Sequence, residues 1–268
     1  MTHADAFLQD ILAHPDDDAP RLIFADWLEE QGDPNSIARA EFIRIQCALA
    51  GGQLPEQRRT ELVRRENQIL NEWDEEWVRP IRRLVKNWEF HRGFIHYIGM
   101  SADKFLSRAS QLFRHAPIQH LRLTDPSFRQ VSYSPIGYVA ALADSQYLRR
   151  LRSLDLSEND LGSPGVRALV VSKHLTCLTE LNLSHNRIGN GGIWALASSP
   201  LLGRLECLNL CGNDIGAGGL RALADALEKW EHSPEGLRLT KLELFIHLLS
   251  DAGQRVIAGS PLLRQLVR

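Results

Sequence analysis

Cysteine is scarce in this sequence: Cys47, Cys177, Cys207 and Cys211 are the only four in 268 residues. They are too few and too scattered for a disulfide framework, and reduced thiols are expected. An excess of one charge is also missing. There are 31 lysines and arginines against 33 aspartates and glutamates, a net charge of −2, so no bulk attraction toward nucleic acid or an anionic membrane follows. No stretch approaches the roughly 18 uninterrupted apolar residues that a membrane span requires. Met1–Ala13 carries no lysine or arginine ahead of its apolar residues, unlike a secretory leader. With 44% hydrophobic and 24% charged residues, the composition excludes disordered and collagen-like classes. The expectation is a soluble, cytoplasmic chain of one elongated or two compact domains.

What is present is a repeat. Leu151–Leu169, Leu178–Leu196 and Leu205–Leu223 align without a gap, their starts 27 residues apart. A fourth copy starts at Leu239, 34 residues after Leu205, with His247 where the others have asparagine. The extra length is expected in the Trp230–Gly236 connection. Weaker copies read Ile118-Gln119-His120-Leu121-Arg122-Leu123 and Ile95-His96-Tyr97-Ile98-Gly99-Met100. Alternating leucines place one face of a short strand inward, and a helix such as that carrying Val166, Leu169 and Val170 packs behind it. One copy alone cannot bury both faces, so neighbours must stack. Gly162, Gly189 and Gly216, then Gly165, Gly192 and Gly219, mark the bend from strand to helix.

This L-x-x-L-x-L spacing with its helix-forming tail resembles leucine-rich repeats of the ribonuclease-inhibitor type. The resemblance implies an α/β solenoid of about six repeats, with a parallel inner sheet and outer helices. It also implies that Asn159, Asn186 and Asn213, at the strand ends, lie buried and bond the backbone of neighbouring turns, a structural role.

Upstream the period is helical. Phe7, Leu8, Ile11 and Leu12 form one apolar face. An aspartate before Pro20 and Gly32 bound a second helix. Asp33-Pro34 starts a third, with Ala38, Phe42, Ile45 and Leu49 as its buried stripe, and a longer helix from about Pro55 carries Leu62, Ile69, Trp73 and Trp77. The run Pro15–Pro34, including Arg21-Leu22-Ile23-Phe24-Ala25-Asp26-Trp27-Leu28, together with Arg39-Ala40-Glu41-Phe42-Ile43-Arg44-Ile45-Gln46, resembles the repeat-companion domain of bacterial, planctomycete-type genomes. That family precedes leucine-rich repeats, and the resemblance implies an architecture but no reaction. Residues 1–90 are therefore expected to form an all-α companion domain capping repeats at 91–268, with Trp73, Trp77 and Trp88 cementing the helices to the first repeat.

No residue set here assembles a catalytic, cofactor or metal site. Asp16-Asp17-Asp18 with Asp26, Glu29 and Glu30 lacks the alternate spacing of a calcium loop. Two of these aspartates suit helix capping, while Arg21, Asp26, Glu41 and Arg44 suit interhelical ion pairs. Cys207 and Cys211 would lie about 13 Å apart along a strand, too far to share a metal. His91, His96, His115 and His120 lack a zinc spacing, and the eight cations from Arg58 to Lys86 are nearly cancelled by seven carboxylates, which suits a solvated face.

The strand residues opposite the leucines remain, displayed on the concave face. Tyr97, His120, Arg122, Asp155, Glu180, Asn182, Asn209, Lys241, Glu243 and Phe245 are the expected contacts for a protein partner, with Ser157, Ser184 and Cys211 continuing the ladder. The expected function is a non-enzymatic, monomeric protein-interaction scaffold that binds neither nucleic acid nor membrane. The alternative is an enzyme regulator resembling leucine-rich GTPase activators or ribonuclease inhibitors, in which Arg187 at a strand-end loop would meet a phosphoryl charge.

Overall fold

The computed structural model describes residues 3–52, 54–124 and 135–267. The chain divides into two compact units, Met1–Gly99 with Arg108–Ile118 and Met100–Ser107 with Gln119–Arg268.

The first unit contains α1 (His3–Ala13), α2 (Ala19–Glu30), α3 (Pro34–Ala50) and α4 (Glu56–Val78), then strands β1 (Asn87–His91) and β2 (Phe94–Ser101). Asp33 caps α3 by accepting from Ser36 N–H at 3.0 Å. Asp18, at the start of α2, makes no such bond. Its carboxylate lies 3.2 Å from Arg92, and Asp17 Oδ1 instead accepts from Ala19 N–H at 2.9 Å. The expected stripe on α3 is half of what is buried. Phe42 and Ile45 pack with Leu62 and Ile69, while Ala40, Ile43 and Cys47 pack with Ile11, Ala25, Leu28 and Phe94. A helix covered on two sides cannot show a single clean stripe.

Residues 87–90, expected within an all-α region, form a strand with His91, and the weak repeat copy at 95–100 is its antiparallel partner, with Glu89 opposite Tyr97. Alternating apolar residues fit either kind of strand. The turn decides: Arg92 and Gly93 have φ of 52° and 83°, as a two-residue hairpin of this hand requires. A Cβ at Gly93 would come within 2.4 Å of Ile43 Cγ1, so the tip presses directly on α3.

Long-range polar contacts tie this unit together. Gln46 donates to Glu66 Oε1 at 2.7 Å and to the Phe90 carbonyl at 3.3 Å, and its Oε1 accepts from Gly93 N–H at 2.7 Å. Arg21 was expected in an interhelical ion pair. Its side chain instead donates to the carbonyls of His14, Pro15 and Asp17, closing the loop before α2. Arg44 does pair across helices, 2.7 Å from both Asp26 and Glu29, and Arg65 bonds Glu41 at 2.7 Å. Arg39 lies 4.4 Å from the Trp77 ring centre and 5.2–5.7 Å from those of Phe42, Phe90 and Phe94. Its Nη1 is buried without a hydrogen-bond partner, and burial pushes the guanidinium down to about 9. Trp77 donates to Asn35 and Trp88 to Asp74.

α5 (Ala102–His115) connects β2 to β3 (His120–Thr124), the first strand of the second unit. There β3, β4 (Ser153–Asp155), β5 (Glu180–Asn182), β6 (Cys207–Asn209) and β7 (Lys241–Glu243) lie parallel in sequence order. Leu121, Leu154, Leu181, Leu208 and Leu242 pair side by side across them, and all five are buried. Helices α6 (Pro135–Ala143), α7 (Gly162–Val170), α8 (Gly189–Ala197) and α9 (Ala217–Glu231) connect successive strands, and α10 (Asp251–Gly259) and α11 (Pro261–Leu266) follow β7. Val166, Leu169, Ile193, Leu196, Leu220 and Leu223 complete the core. The extra length before the fourth repeat lies mostly in α9, which has 15 residues against 9 in α7 and α8. No helix among the described residues is long and apolar enough to cross a membrane.

Candidate functional site

The loops that end the strands fix the open face of the sheet. In three repeats their backbone alternates into the left-handed region: Glu158 and Asp160, His185 and Arg187, Gly212 and Asp214 all have φ between 52° and 66°. All but Gly212 are strained in this region and persist only where the surroundings hold them. The holding groups are the asparagines between them. Asn186 Nδ2 donates to the carbonyls of Leu156, Leu183 and Ser184 at 2.8–3.0 Å, and its Oδ1 accepts from the N–H groups of Asn159 and Leu161 at 3.0 and 3.2 Å. Asn159 reaches the Leu123 and Leu156 carbonyls, and Asn213 repeats the pattern toward Leu183 and Leu210. All three are at most 2% exposed.

With the loops pinned, residues opposite the leucines fall into two rows. Arg122, Asp155, Asn182, Asn209 and Glu243 are register partners in one, and His120, Ser153, Glu180, Cys207 and Lys241 in the other. Members of both rows from β4 to β7 line a groove of about 250 Å³. Arg122 lies 3.6 Å from Asp155 and 3.8 Å from Glu158, charge pairing at longer than hydrogen-bond distance. Asn209 Nδ2 donates to Glu243 at 2.5 Å, and Lys241 pairs with Glu243. Glu180 is exposed and stands between these pairs. Burial, reinforced by the Glu180 charge, raises the Cys207 thiol.

Several candidate contacts have a second task. Asp155, Asn182 and Asn209 each accept, through Oδ1, from the N–H two residues on, at Ser157, Ser184 and Cys211, so one oxygen of each is committed to turning the chain. Ser157, Ser184 and Cys211, expected to continue the face, are buried, because the strands end before them. The signal was legible as Asp or Asn two residues ahead of the turn in each copy. Tyr97 lies on β2, in the first unit, and is not a groove residue. Phe245 lies beyond β7, 36% exposed, its ring 6.0 Å from His185 and 5.7 Å from His247. Arg187 is 3.2 Å from Asp160 of the preceding repeat. The β1–β2 hairpin brings His91 and His96 together, ring centres 4.9 Å apart, a proximity that spacing alone does not reveal. Among the described residues no group of three or more His, Cys, Asp or Glu side chains is placed to hold a metal ion.

Residues 147–170, 174–197 and 205–224 each match the family model described as leucine rich repeat. No curated protein matches the chain.

Proposed function

We propose that this chain is a non-enzymatic protein-interaction module whose partner lies on the open face of the five parallel strands β3–β7. The observation that carries the reading is the pair of register-aligned polar rows, half-exposed over a spine of buried leucines. Leucine-rich repeats commonly mediate protein–protein interaction, and among the described residues no nucleophile, base and orienting acid stand together on this face.

Charge narrows the partner. The groove is lined by Asp155, Glu180 and Glu243 against Lys241, and Glu180 is the carboxylate left between internal pairs. This excess repels nucleic-acid phosphate and suits a polypeptide that presents lysine or arginine. With Arg187 directed to Asp160, nothing in the loop geometry favours the enzyme-regulator reading.

The test compares the wild type with Glu180→Lys in affinity capture from the native host, and reads alkylation of Cys207 within the wild type, with and without the captured partner. A partner on this face shields Cys207 and is lost about ten-fold from the charge-reversed variant, with melting unchanged because Glu180 is exposed. A partner retained equally by the variant, leaving Cys207 open, defeats the reading.

A further inference from the structure

A second recess lies away from the strand face, among the segments that lead from each helix to the next strand. One part, of about 650 Å³, sits beside the ends of α7 and α8, and a second, of about 350 Å³, adjoins it through Thr176, Pro200 and Arg204. The apolar surface of the first includes Val170, Leu175 and Val171, the last 78% exposed. Trp230 walls the second; its ring lies flat on Gly203, where an added Cβ would approach within 2.6 Å.

The rim is unbalanced in charge. Arg167, Lys173 and Arg204 line the first part with no carboxylate, and Arg238 with a single Glu235 lines the second. Four cations against one acid contrast with a chain whose net charge is −2. Arg167 lies in the last turn of α7, where a cation offsets the helix dipole. Lys173 and Arg204 lie outside the α-helices and have no such task. None of the three forms an ion pair among the described residues.

We propose that this recess binds an acidic segment of another polypeptide, one that carries aliphatic or aromatic residues among its carboxylates. The cations supply charge complementarity, and exposed Val171 with half-buried Val170 takes the apolar side chains. A nucleic acid brings phosphates but no aliphatic groups for that surface. A flat bilayer cannot fill a recess, and it would leave Trp230 unused. The volume is within the range of pockets that enclose ligand groups.

Two thiols report the two surfaces separately. Cys177 is exposed and lines the second part of the recess, whereas half-exposed Cys207 lines the strand-face groove. The probe is a synthetic peptide alternating glutamate with leucine and phenylalanine, compared with its lysine counterpart and with phosphatidylglycerol vesicles, each added to the full chain before alkylation. The acidic peptide is expected to slow Cys177 alkylation about ten-fold and leave Cys207 unchanged, and Lys173→Glu with Arg204→Glu to abolish the effect. Both substituted residues are exposed, and an unchanged melting curve shows that the variant is folded. Equal protection by the lysine peptide, protection of Cys207 instead, protection by vesicles alone, or none by any probe each overturns the proposal. The strand-face reading stands or falls separately, on Cys207 and Glu180.

Discussion

In the repeats, the carbonyls at each strand end are met by an asparagine that recurs every 27 residues, at 159, 186 and 213. In the helical unit, buried polar groups are met one at a time, by Arg21 for the loop before α2 and by Gln46 for the hairpin. The ladder is redundant, since each rung shares acceptors with the next. The helical unit has single points of closure, each drawn from residues distant in sequence. A uniform stack can therefore distribute a defect over neighbours, while an aperiodic core concentrates it.

The largest test of that contrast is Asn186→Ala. It strands the buried N–H groups of Asn159 and Leu161 and takes one of two donors from each of the Leu156, Leu183 and Ser184 carbonyls, and should lower unfolding free energy by about 3 kcal/mol in urea titration. A cost below that of an ordinary surface change would show that the ladder does not hold the strained loops. Next is Arg39→Lys, which keeps a charge among the four rings but loses the planar stack. A loss of about 1–2 kcal/mol is expected on thermal melting, and a lysine variant as stable as the parent would show that the rings need only a cation. The smallest concerns Glu41, whose carboxyl is held below its ordinary value chiefly by the hydrogen bond from Arg65. That contribution is present above about pH 4.3, the ordinary glutamate value, and is lost as pH falls through the lowered native one. Glu41→Gln should flatten the dependence of melting temperature on pH in that acid range alone; an unchanged slope would assign it to other carboxylates.

The repeats were legible because their physics is local and periodic. The leucine spacing places Leu154, Leu181 and Leu208 in adjacent strands, as the structure shows, and glycine and asparagine mark the bends. The alternation at 95–100 does mark a strand, but period two says nothing of an antiparallel neighbour, which the Arg92-Gly93 turn supplies. Arg39 and Gln46 were unreadable as structural residues because their partners lie in other elements; Gln46 meets Phe90, 44 residues on. Their only trace was a polar residue on a helix face that burial later claimed. On the candidate face the rows are readable residue by residue, whereas the chain-turning duty of Asp155, Asn182 and Asn209 shows in their hydrogen bonds. The recess at the helix ends escaped entirely, since it is built from connections that do not repeat.

The lengthened α9 shows where such a stack tolerates growth. Added residues on the strand side would break the asparagine register, whereas here they extend a helix, and the tryptophan they carry comes to rest against Gly203 one repeat earlier. Novelty can thus accumulate along the seam behind the strands while the backbone ladder keeps its beat, which makes the segment after α9 the natural place to graft a new binding element.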